Sequence, residues 1–135
     1  MKKEFSKNWK RSKSVRKQRK YRYNAPLHIK RRFLAAHLNK DLKKKYGKRS
    51  LIVRKGDRVK VERGIFKKKI SKVNKVDISN ELVYLDGISV TKKDGSKIEI
   101  GIHPSNLTIL ELTMEDKERV KSINRGKNEQ ALGKN

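Results

Sequence analysis

Positive charge is concentrated in the first third of this chain of 135 residues. Residues 1–50 hold 20 lysines and arginines against 2 acidic residues, a net charge of +18, while residues 51–112 carry +5 and residues 113–135 carry +2. A segment with so many like charges and so few apolar side chains cannot fold alone against its own repulsion. The sequence therefore predicts three parts: a basic extension with short helices at 1–50, a compact domain at 51–112, and a C-terminal helix and tail at 113–135.

The overall composition excludes several classes of protein. The net charge of +25 and the isoelectric point of about 10.5 indicate a polyanionic partner. The chain has no cysteine, which rules out disulfides, zinc–cysteine sites and thiol catalysis. No apolar stretch approaches the ~18 residues of a membrane span, and no apolar signal segment follows the basic N-terminus. These features predict a soluble, intracellular protein without membrane insertion that binds nucleic acid.

The basic extension has its own local signals. Residues 1–24 contain few apolar side chains, so we expect this arm to be disordered in the free protein and to order on RNA. Pro26 favours the first turn of a helix that is predicted to run to about Leu38. A second short helix is predicted from Lys40 to Tyr46, with Asn39 as its cap.

From Leu51 onward the apolar residues alternate as they do in β-strands. Tight turns are predicted at Asp86-Gly87 and Asp94-Gly95, and the spacing of the turns gives five to six short strands, the pattern of a small barrel. The region is small enough that we expect it to be only marginally stable without its partner.

A helix is predicted after the last strand. Thr113 to Asp116 resembles a capping box, and the helix that follows is predicted to reach about Asn124 and to give way at Gly126. Within it, Glu115 and Arg119 have the spacing of an intrahelical ion pair.

Catalysis finds no support in the residues. His28, His37 and His103 are far apart in sequence, and neither a glycine-rich phosphate loop nor a hydrolase motif is present. Asp57 and Asp86 lie at turns, where we expect their carboxylates to accept hydrogen bonds from the backbone of the turn. We therefore predict no enzyme activity, no catalytic residues, no metal site and no cofactor.

A more specific signal runs from Gly56 to Val73. Two alternating strands bury Val59 and Val73, and the loop between the strands holds three consecutive lysines. This strand–loop–strand unit resembles the KOW motif of nucleic-acid-associated SH3-like barrels, and a solvated basic hairpin is the alternative. The KOW pattern usually has glycines where this chain has Lys68 and Ser71. The sequence therefore does not determine the turn type of this loop, although it does predict the pairing of the two strands.

The resemblance extends over nearly the whole chain. Residues 16–28 precede the barrel, residues 41–50 join it, and residues 101–106 lie near its end. In this order the three segments resemble the "L twenty-four" KOW family of large-ribosomal-subunit proteins, in the form with a basic N-terminal extension ("L twenty-six" in eukaryotes). The short C-terminal tail is closer to the archaeal form.

This resemblance implies a fold, a function and partners. The implied fold class is mainly β: a small SH3-like (KOW) barrel with a basic N-terminal extension containing short helices and a short C-terminal helix. The implied function is that of a structural constituent of the large ribosomal subunit, in the cytoplasm. Members bind the 5′ domain of large-subunit rRNA early in assembly, beside the peptide exit tunnel and its neighbouring ribosomal proteins. No homo-oligomer is expected.

The candidate rRNA contacts are cations that neutralise phosphates, aromatic rings that stack on unpaired bases, and polar loop residues. For a single ring the alternative is a scattered aromatic of a disordered arm, and for the loop at His103 it is a turn fixed by Pro104. Trp9 is a further candidate for stacking. The predicted site residues are Arg11, Arg16, Lys17, Arg19, Lys20, Tyr21, Arg22, Tyr23, His28, Arg31, Arg32, Lys48, Arg49, Lys55, Arg63, Lys67, Lys68, Lys69, Lys72, His103 and Asn106.

Two other functions are possible for a basic chain with a KOW-like segment. A KOW-containing transcription elongation factor also binds nucleic acid, but it carries an α/β domain ahead of the barrel, for which residues 1–50 are too short and too basic. A histone-like DNA-packaging protein rarely has a weakly charged barrel behind a separate arm. Co-sedimentation with large ribosomal subunits separates the ribosomal function from both.

Overall fold

The computed structural model describes Phe5, Ser6, Asn8 and residues 11–132, with side chains described as far as residue 125. Trp9 lies outside the described residues. In chain order the elements are α1 (Val15–Asn24), α2 (Leu27–Phe33), β1 (Ala35–Leu38), α3 (Lys40–Tyr46), β2 (Ser50–Ile52), β3 (Arg58–Val61), β4 (Ile70–Asp77), β5 (Leu82–Thr91), β6 (Lys97–Ile102), a 3-10 turn (Pro104–Asn106), β7 (Leu107–Glu111) and α4 (Lys117–Leu132).

Seven strands form one sheet in the order β2-β1-β7-β3-β4-β5-β6. β1 pairs parallel with β7, and the other neighbouring strands pair antiparallel. Within the described part of the chain no ladder joins the two edge strands, β2 and β6, so the sheet is open. The prediction of a mainly β fold with N-terminal helices and a C-terminal helix is confirmed. The prediction of a barrel is wrong, since the sheet does not close. The spacing of turns in a sequence indicates the number of strands, but it does not indicate whether the two outer strands pair with each other.

The hydrophobic core consists of apolar residues that alternate along the strands. On β3 the exposed Arg58 and half-buried Lys60 alternate with the buried Val59 and Val61, as the sequence predicted. The same alternation buries Ala36 and Leu38 on β1 and Leu107 and Ile109 on β7. The central core residues are Leu34, Ala36, Leu38, Val53, Val59, Val61, Val73, Val83, Leu85, Ile88, Leu107 and Ile109.

The helix predicted to run to Leu38 ends at Phe33, and residues 35–38 form strand β1 instead. His37 and Leu38 pair with Thr108 and Ile109 of β7, and the N–H of Leu38 donates to the carbonyl of Arg49 on the other side. Ala36 and Leu38 are buried on the strand period, whereas a helix would place them on different faces. Sheet pairing thus overrides the helix preference of the two alanines, since tertiary contacts outweigh propensity.

Helix α3 has the predicted bounds, Lys40–Tyr46. The side-chain oxygen of Asn39 accepts a hydrogen bond from the backbone N–H of Lys40 at 2.7 Å. At the other end Gly47 adopts a φ of 65° and its N–H donates to the carbonyl of Lys43. Both ends follow the local chemistry of helix caps, which explains why they could be located from the sequence.

The two Asp-Gly pairs behave differently. Asp94-Gly95 forms the predicted turn between β5 and β6, with the N–H of Lys92 donating to the carbonyl of Ser96. At Asp86-Gly87 the predicted tight turn is wrong, because β5 continues through these residues with a shift in its pairing to β6. Gly87 has a φ of 69°, and the pair therefore bends one long strand, as a β-bulge does.

Helix α4 begins later and ends later than predicted. Asp116 precedes its first residue, and the Asp116 carboxylate accepts a hydrogen bond from the N–H of Glu118 at 2.9 Å. The predicted capping box at Thr113 is therefore wrong by about one turn of helix. The helix also continues through Gly126 to Leu132 instead of ending near Asn124.

The predicted pair between Glu115 and Arg119 is also wrong, because Arg119 reaches back to Asp57. Two parallel hydrogen bonds, of 2.6 and 2.7 Å, join the Arg119 guanidinium to the Asp57 carboxylate, whose side chain is fully buried. The carboxylate also accepts the N–H groups of Arg54 and Thr113. This ion pair fastens α4 to the turn before β3, and local helix spacing cannot reveal such a contact.

The turn between β4 and β5 is organised by Asp77. Its Oδ1 accepts the N–H groups of Ser79 and Asn80, and its Oδ2 accepts the side-chain amide of Asn80 at 2.8 Å. The hydrogen bonds from Asn80, first from its side chain and then from its backbone, lower the pKa of Asp77 below its ordinary value.

Replacing Asn80 by alanine should therefore raise the pKa of Asp77. Asp94, whose pKa is lowered by the hydroxyl and N–H of Ser96, should titrate as before and is the internal control. An NMR titration of the aspartate carboxyl carbons measures both. Because the folded pKa of Asp77 lies below its unfolded value, the turn contributes stability above the ordinary aspartate pKa and loses it as the pH falls through the folded pKa. An unchanged Asp77 midpoint in the variant would contradict this assignment.

Candidate nucleic-acid interface

Helix α1 presents a dense group of exposed cations. Its ten residues include no acidic side chain, and none of its residues is buried. Cations three and four residues apart on a helix repel one another, so a row of anions would stabilise α1. Four of these cations, which we call the α1 cluster, are Arg16, Lys17, Arg19 and Lys20.

The last turn of α1 is anchored to the rest of the protein. The ring of Tyr21 lies between those of Phe5 and Phe33, with centroids 4.8 and 6.2 Å away. Arg22 lies over the Phe33 ring, and its guanidinium forms an ion pair with Glu81. These contacts fix the direction in which the charged part of α1 extends.

His103 belongs to the same anchor. Its Nε2 is 3.3 Å from Nη2 of Arg22, and its Nδ1 accepts the N–H of Ser105 at the start of the 3-10 turn. Pro104 is buried in that turn. His103 therefore lies in a turn that contains Pro104, which was one of the two alternatives for this loop. RNA contacts by Tyr21, Arg22 and His103 stay predictions, and all three side chains already have protein contacts.

The loop between β3 and β4 presents a second group of cations. Lys67, Lys68 and Lys69 are exposed in it, and Lys72 follows on β4; we call these four residues the loop cluster. Lys69 lies over the Phe66 ring, which packs against the core. The N–H of Val61 donates to the carbonyl of Lys69, and the N–H of Lys68 donates to that of Val61, so the end of β3 holds the second half of the loop in place.

The two departures from the KOW glycine pattern have visible consequences. Lys68 adopts a φ of 71°, one of two positive values among the described residues other than glycine. Ser71 donates a hydrogen bond from its hydroxyl to the carbonyl of Asp86, at the bend of β5. The lysine therefore keeps a left-handed turn that glycine adopts more easily, and the serine supplies a cross-strand contact that glycine lacks.

Replacing Lys68 by glycine should stabilise the folded chain by about 0.5–1 kcal/mol. Glycine adopts a left-handed backbone without the steric strain of a lysine, and this gain exceeds the entropy that glycine adds to the unfolded chain. Urea unfolding followed by circular dichroism measures the change. Lys67→Gly is the matched control: it removes the same charge from the same loop, and its φ is not positive, so it should destabilise instead. Equal effects of the two variants would show that the backbone at Lys68 is not strained.

The other predicted site residues are distributed over the last turn of α1, helix α2, the connecting loops and the chain before α1. Lys48 donates a hydrogen bond to the carbonyl of Ser122 in α4, so it holds that helix. The N–H and carbonyl groups of Asn106 bond to His103 and Glu62. The exposed members of the set are Arg11, Tyr23, His28, Arg31, Arg32, Arg49, Lys55 and Arg63.

Sequence reasoning missed several residues that shape this surface. Glu81 is 8% exposed and has a φ of 59°, yet it anchors Arg22. Arg54 and Lys75 line a groove together with Arg31 and Lys55, although these residues come from three separate parts of the chain. A non-glycine residue forced into a left-handed turn has no sequence signal, and neither does a contact between distant segments.

The described residues contain no group of three or more histidine, aspartate or glutamate side chains that could hold a metal ion. In the same part of the chain, no helix has the length and apolar character needed to cross a membrane. The arrangement that remains is a folded sheet from which two cationic surfaces, the α1 cluster and the loop cluster, face solvent. Such surfaces are suited to binding phosphates.

Comparisons with known proteins identify the family of the chain. Residues 12–126 match the model of a family described as the ribosomal proteins L26 of eukaryotes and L24 of archaea. The large ribosomal subunit protein uL24 of Methanosphaera stadtmanae is 46% identical over 114 residues, which cover 84% of this chain and 97% of that protein. The protein of the same name from Methanosarcina barkeri is 46% identical over 112 residues, covering 83% and 97%. The resemblance drawn from the three sequence segments is confirmed, and the chain belongs to the ribosomal protein family of eukaryotic L26 and archaeal L24.

Proposed function

We propose that this protein is a non-catalytic, structural constituent of the large ribosomal subunit in the cytoplasm, and that it binds the 5′ domain of large-subunit rRNA. The observation that carries the proposal is α1: its cations are exposed on a helix without acidic residues, while its last turn is held on the sheet. The similar proteins that are named for the large subunit support the same assignment.

The proposed mechanism starts from the repulsion within the basic extension. Phosphates neutralise the α1 cluster and release condensed counterions, which drives binding. Because Tyr21 and Arg22 fix the end of the helix, the ordered arm follows one direction along the RNA. Binding that orders both the arm and the RNA strands around it gives the protein a role early in assembly.

The loop cluster has a different role in the proposal. We treat β3 and β4 as the KOW-like unit of an SH3-like fold, in which the end of β3 holds the second half of the basic loop in place. Phosphate contacts from a rigid loop fix the orientation of a protein on its RNA. The three-part division at residues 50 and 112 remains part of the proposal, although β1 joins the sheet from within the basic extension.

The proposal also includes the surroundings of the protein. It places the chain beside the peptide exit tunnel, among neighbouring ribosomal proteins and without a second copy of itself. These expectations rest on the family and not on any contact in the described residues.

The direct test compares two transcripts of the same rRNA, the 5′ domain and the 3′ domain, trimmed to equal length. We expect the full chain to bind the 5′ domain at least about tenfold more tightly at moderate salt, which corresponds to about 1.4 kcal/mol. Equal affinities would leave only unspecific attraction between charges and would contradict the proposal. Because the two transcripts have equal length, they carry the same number of phosphates.

A further inference from the structure

A groove of about 670 Å³ lies between the end of α2, the chain that follows β2, and the second half of β4. This volume is within the roughly 300–1,000 Å³ of small-ligand sites. Its walls are fixed by backbone hydrogen bonds, because the N–H of Val53 donates to the carbonyl of Leu34 and the N–H of Gly56 donates to that of Val73. The groove is therefore preformed.

The floor of the groove is apolar. Ile52, Val76 and Ile78 line it, and each is only partly buried against the core. Asn74 also lines the groove at an irregularity in the pairing of β4, and its side-chain amide donates to Glu99. An apolar floor that stays open to solvent is a surface that a flat, uncharged group can cover.

The rim of the groove is cationic. Arg31, Lys55 and Lys75 are exposed there, and the described lining residues include no carboxylate. Arg54 is also on the rim and pairs with Asp116, yet burial, followed by the positive charge of Arg31, lowers its pKa below the usual value. Four cations and no carboxylate are among the described residues that line the groove, so an anion placed at its rim would be stabilised.

We propose that this groove binds one unstacked nucleotide of single-stranded RNA, with the base on the apolar floor and the flanking phosphates on Arg31, Lys55 and Lys75. The inference rests on the proposed function and names a site for it apart from the α1 cluster and the loop cluster. A nucleotide joins a flat base to anionic phosphates, which matches an apolar floor between cations.

An acidic protein segment is the competing occupant. The rim favours RNA because its cations lie on more than one side of the floor, as the two phosphates that flank a base require. Paired RNA cannot use the site, since the bases of a duplex stay stacked and its major groove is too narrow for side chains to read.

The test uses the full chain and a short oligoadenylate, its counterpart in which every position is abasic, and a duplex with the same number of phosphates. Lys55→Ala with Lys75→Ala removes two rim charges, and Lys92→Ala with Lys93→Ala removes two exposed charges near the β5–β6 turn as a matched control. We expect the rim variant to lose about tenfold more affinity for oligoadenylate than the control, and to lower the salt slope by about 1.4, at roughly 0.7 per charge on a single strand.

The base is tested separately by Ile78→Ser, with Ile98→Ser on exposed β6 as its control. Ile78→Ser should weaken binding of oligoadenylate and leave binding of the abasic strand and the duplex unchanged. If it unfolds the chain by circular dichroism, the comparison of abasic and intact strands on the parent protein tests the base alone.

Three results would overturn the inference. The first is rim and floor variants that match their controls while the parent chain still binds RNA. The second is equal affinity for abasic and intact strands, and the third is a rim variant that loses polyglutamate binding but keeps oligoadenylate binding. A parent chain that also fails to bind 5′-domain rRNA would instead contradict the proposed function, so the two failures are distinguishable.

Discussion

Replacing Asp57 by alanine should destabilise the folded chain by about 3–5 kcal/mol, because it leaves the guanidinium of Arg119 buried and unpaired. The same change removes the acceptor for the N–H groups of Arg54 and Thr113. Urea unfolding of the full chain, followed by circular dichroism, measures the loss. We expect it to extend to α4, whose attachment to the sheet depends on this ion pair.

The matched control is an exposed ion pair on the same helix. Lys121 and Glu118 are 3.0 Å apart with side chains 70% and 73% exposed. Glu118→Ala should therefore cost no more than about 0.5 kcal/mol, since surface pairs contribute little. Similar losses from Asp57→Ala and Glu118→Ala would show that the buried pair does not hold α4 in place.

Removing the charges of the α1 cluster should weaken binding to 5′-domain rRNA more than removing those of the loop cluster. Both variants replace four cations by alanine, so they differ in position and not in total charge. The α1 cluster extends along an exposed helix that can lie beside a row of phosphates, whereas the loop cluster is confined to one hairpin of the sheet. The log–log salt slope should fall by up to about three for the α1 variant, at roughly 0.7 per released counterion on single strands.

Titrations at two salt concentrations measure both variants against the parent chain. Alanine keeps the helix preference of α1, and circular dichroism checks that the helix content is unchanged. A larger loss of affinity from the loop cluster than from the α1 cluster would mean that the main RNA surface lies on the β3–β4 hairpin.

Local patterns in the sequence located the elements whose signals are local. The alternation on β3, the capped helix after Asn39 and the turn at Asp94-Gly95 each depend on a few neighbouring residues, and the structure has all three. The comparison with the KOW pattern left the turn at Lys68 undetermined, and the structure gives this residue a φ of 71°.

The errors come from contacts between distant segments. Residues 35–38 form a strand because β2 and β7 flank them, and Asp86-Gly87 bends a strand because β4 and β6 hold both sides of it. Arg119 pairs with Asp57, which is 62 residues away, and not with Glu115. No local period encodes such pairings.

The candidate nucleic-acid interface was also predicted only where its residues are close together in the sequence. The cations of α1 and of the β3–β4 loop are evident from the sequence because each group is contiguous. The groove beside Arg54 is assembled from α2, the chain after β2 and β4, so its rim and floor become visible only in the fold. The anchoring of Arg22 by Glu81 joins residues 59 apart and was equally hidden.

Sedimentation of the tagged chain with ribosomes tests the central claim most directly. A cell extract is separated on a sucrose gradient at moderate salt, after dissociation of the ribosomal subunits, and the protein is followed by its tag. We expect the chain to sediment with the large subunit and to be released from it by ribonuclease treatment. A chain that stays at the top of the gradient, or that travels with RNA polymerase or DNA, would contradict the ribosomal assignment.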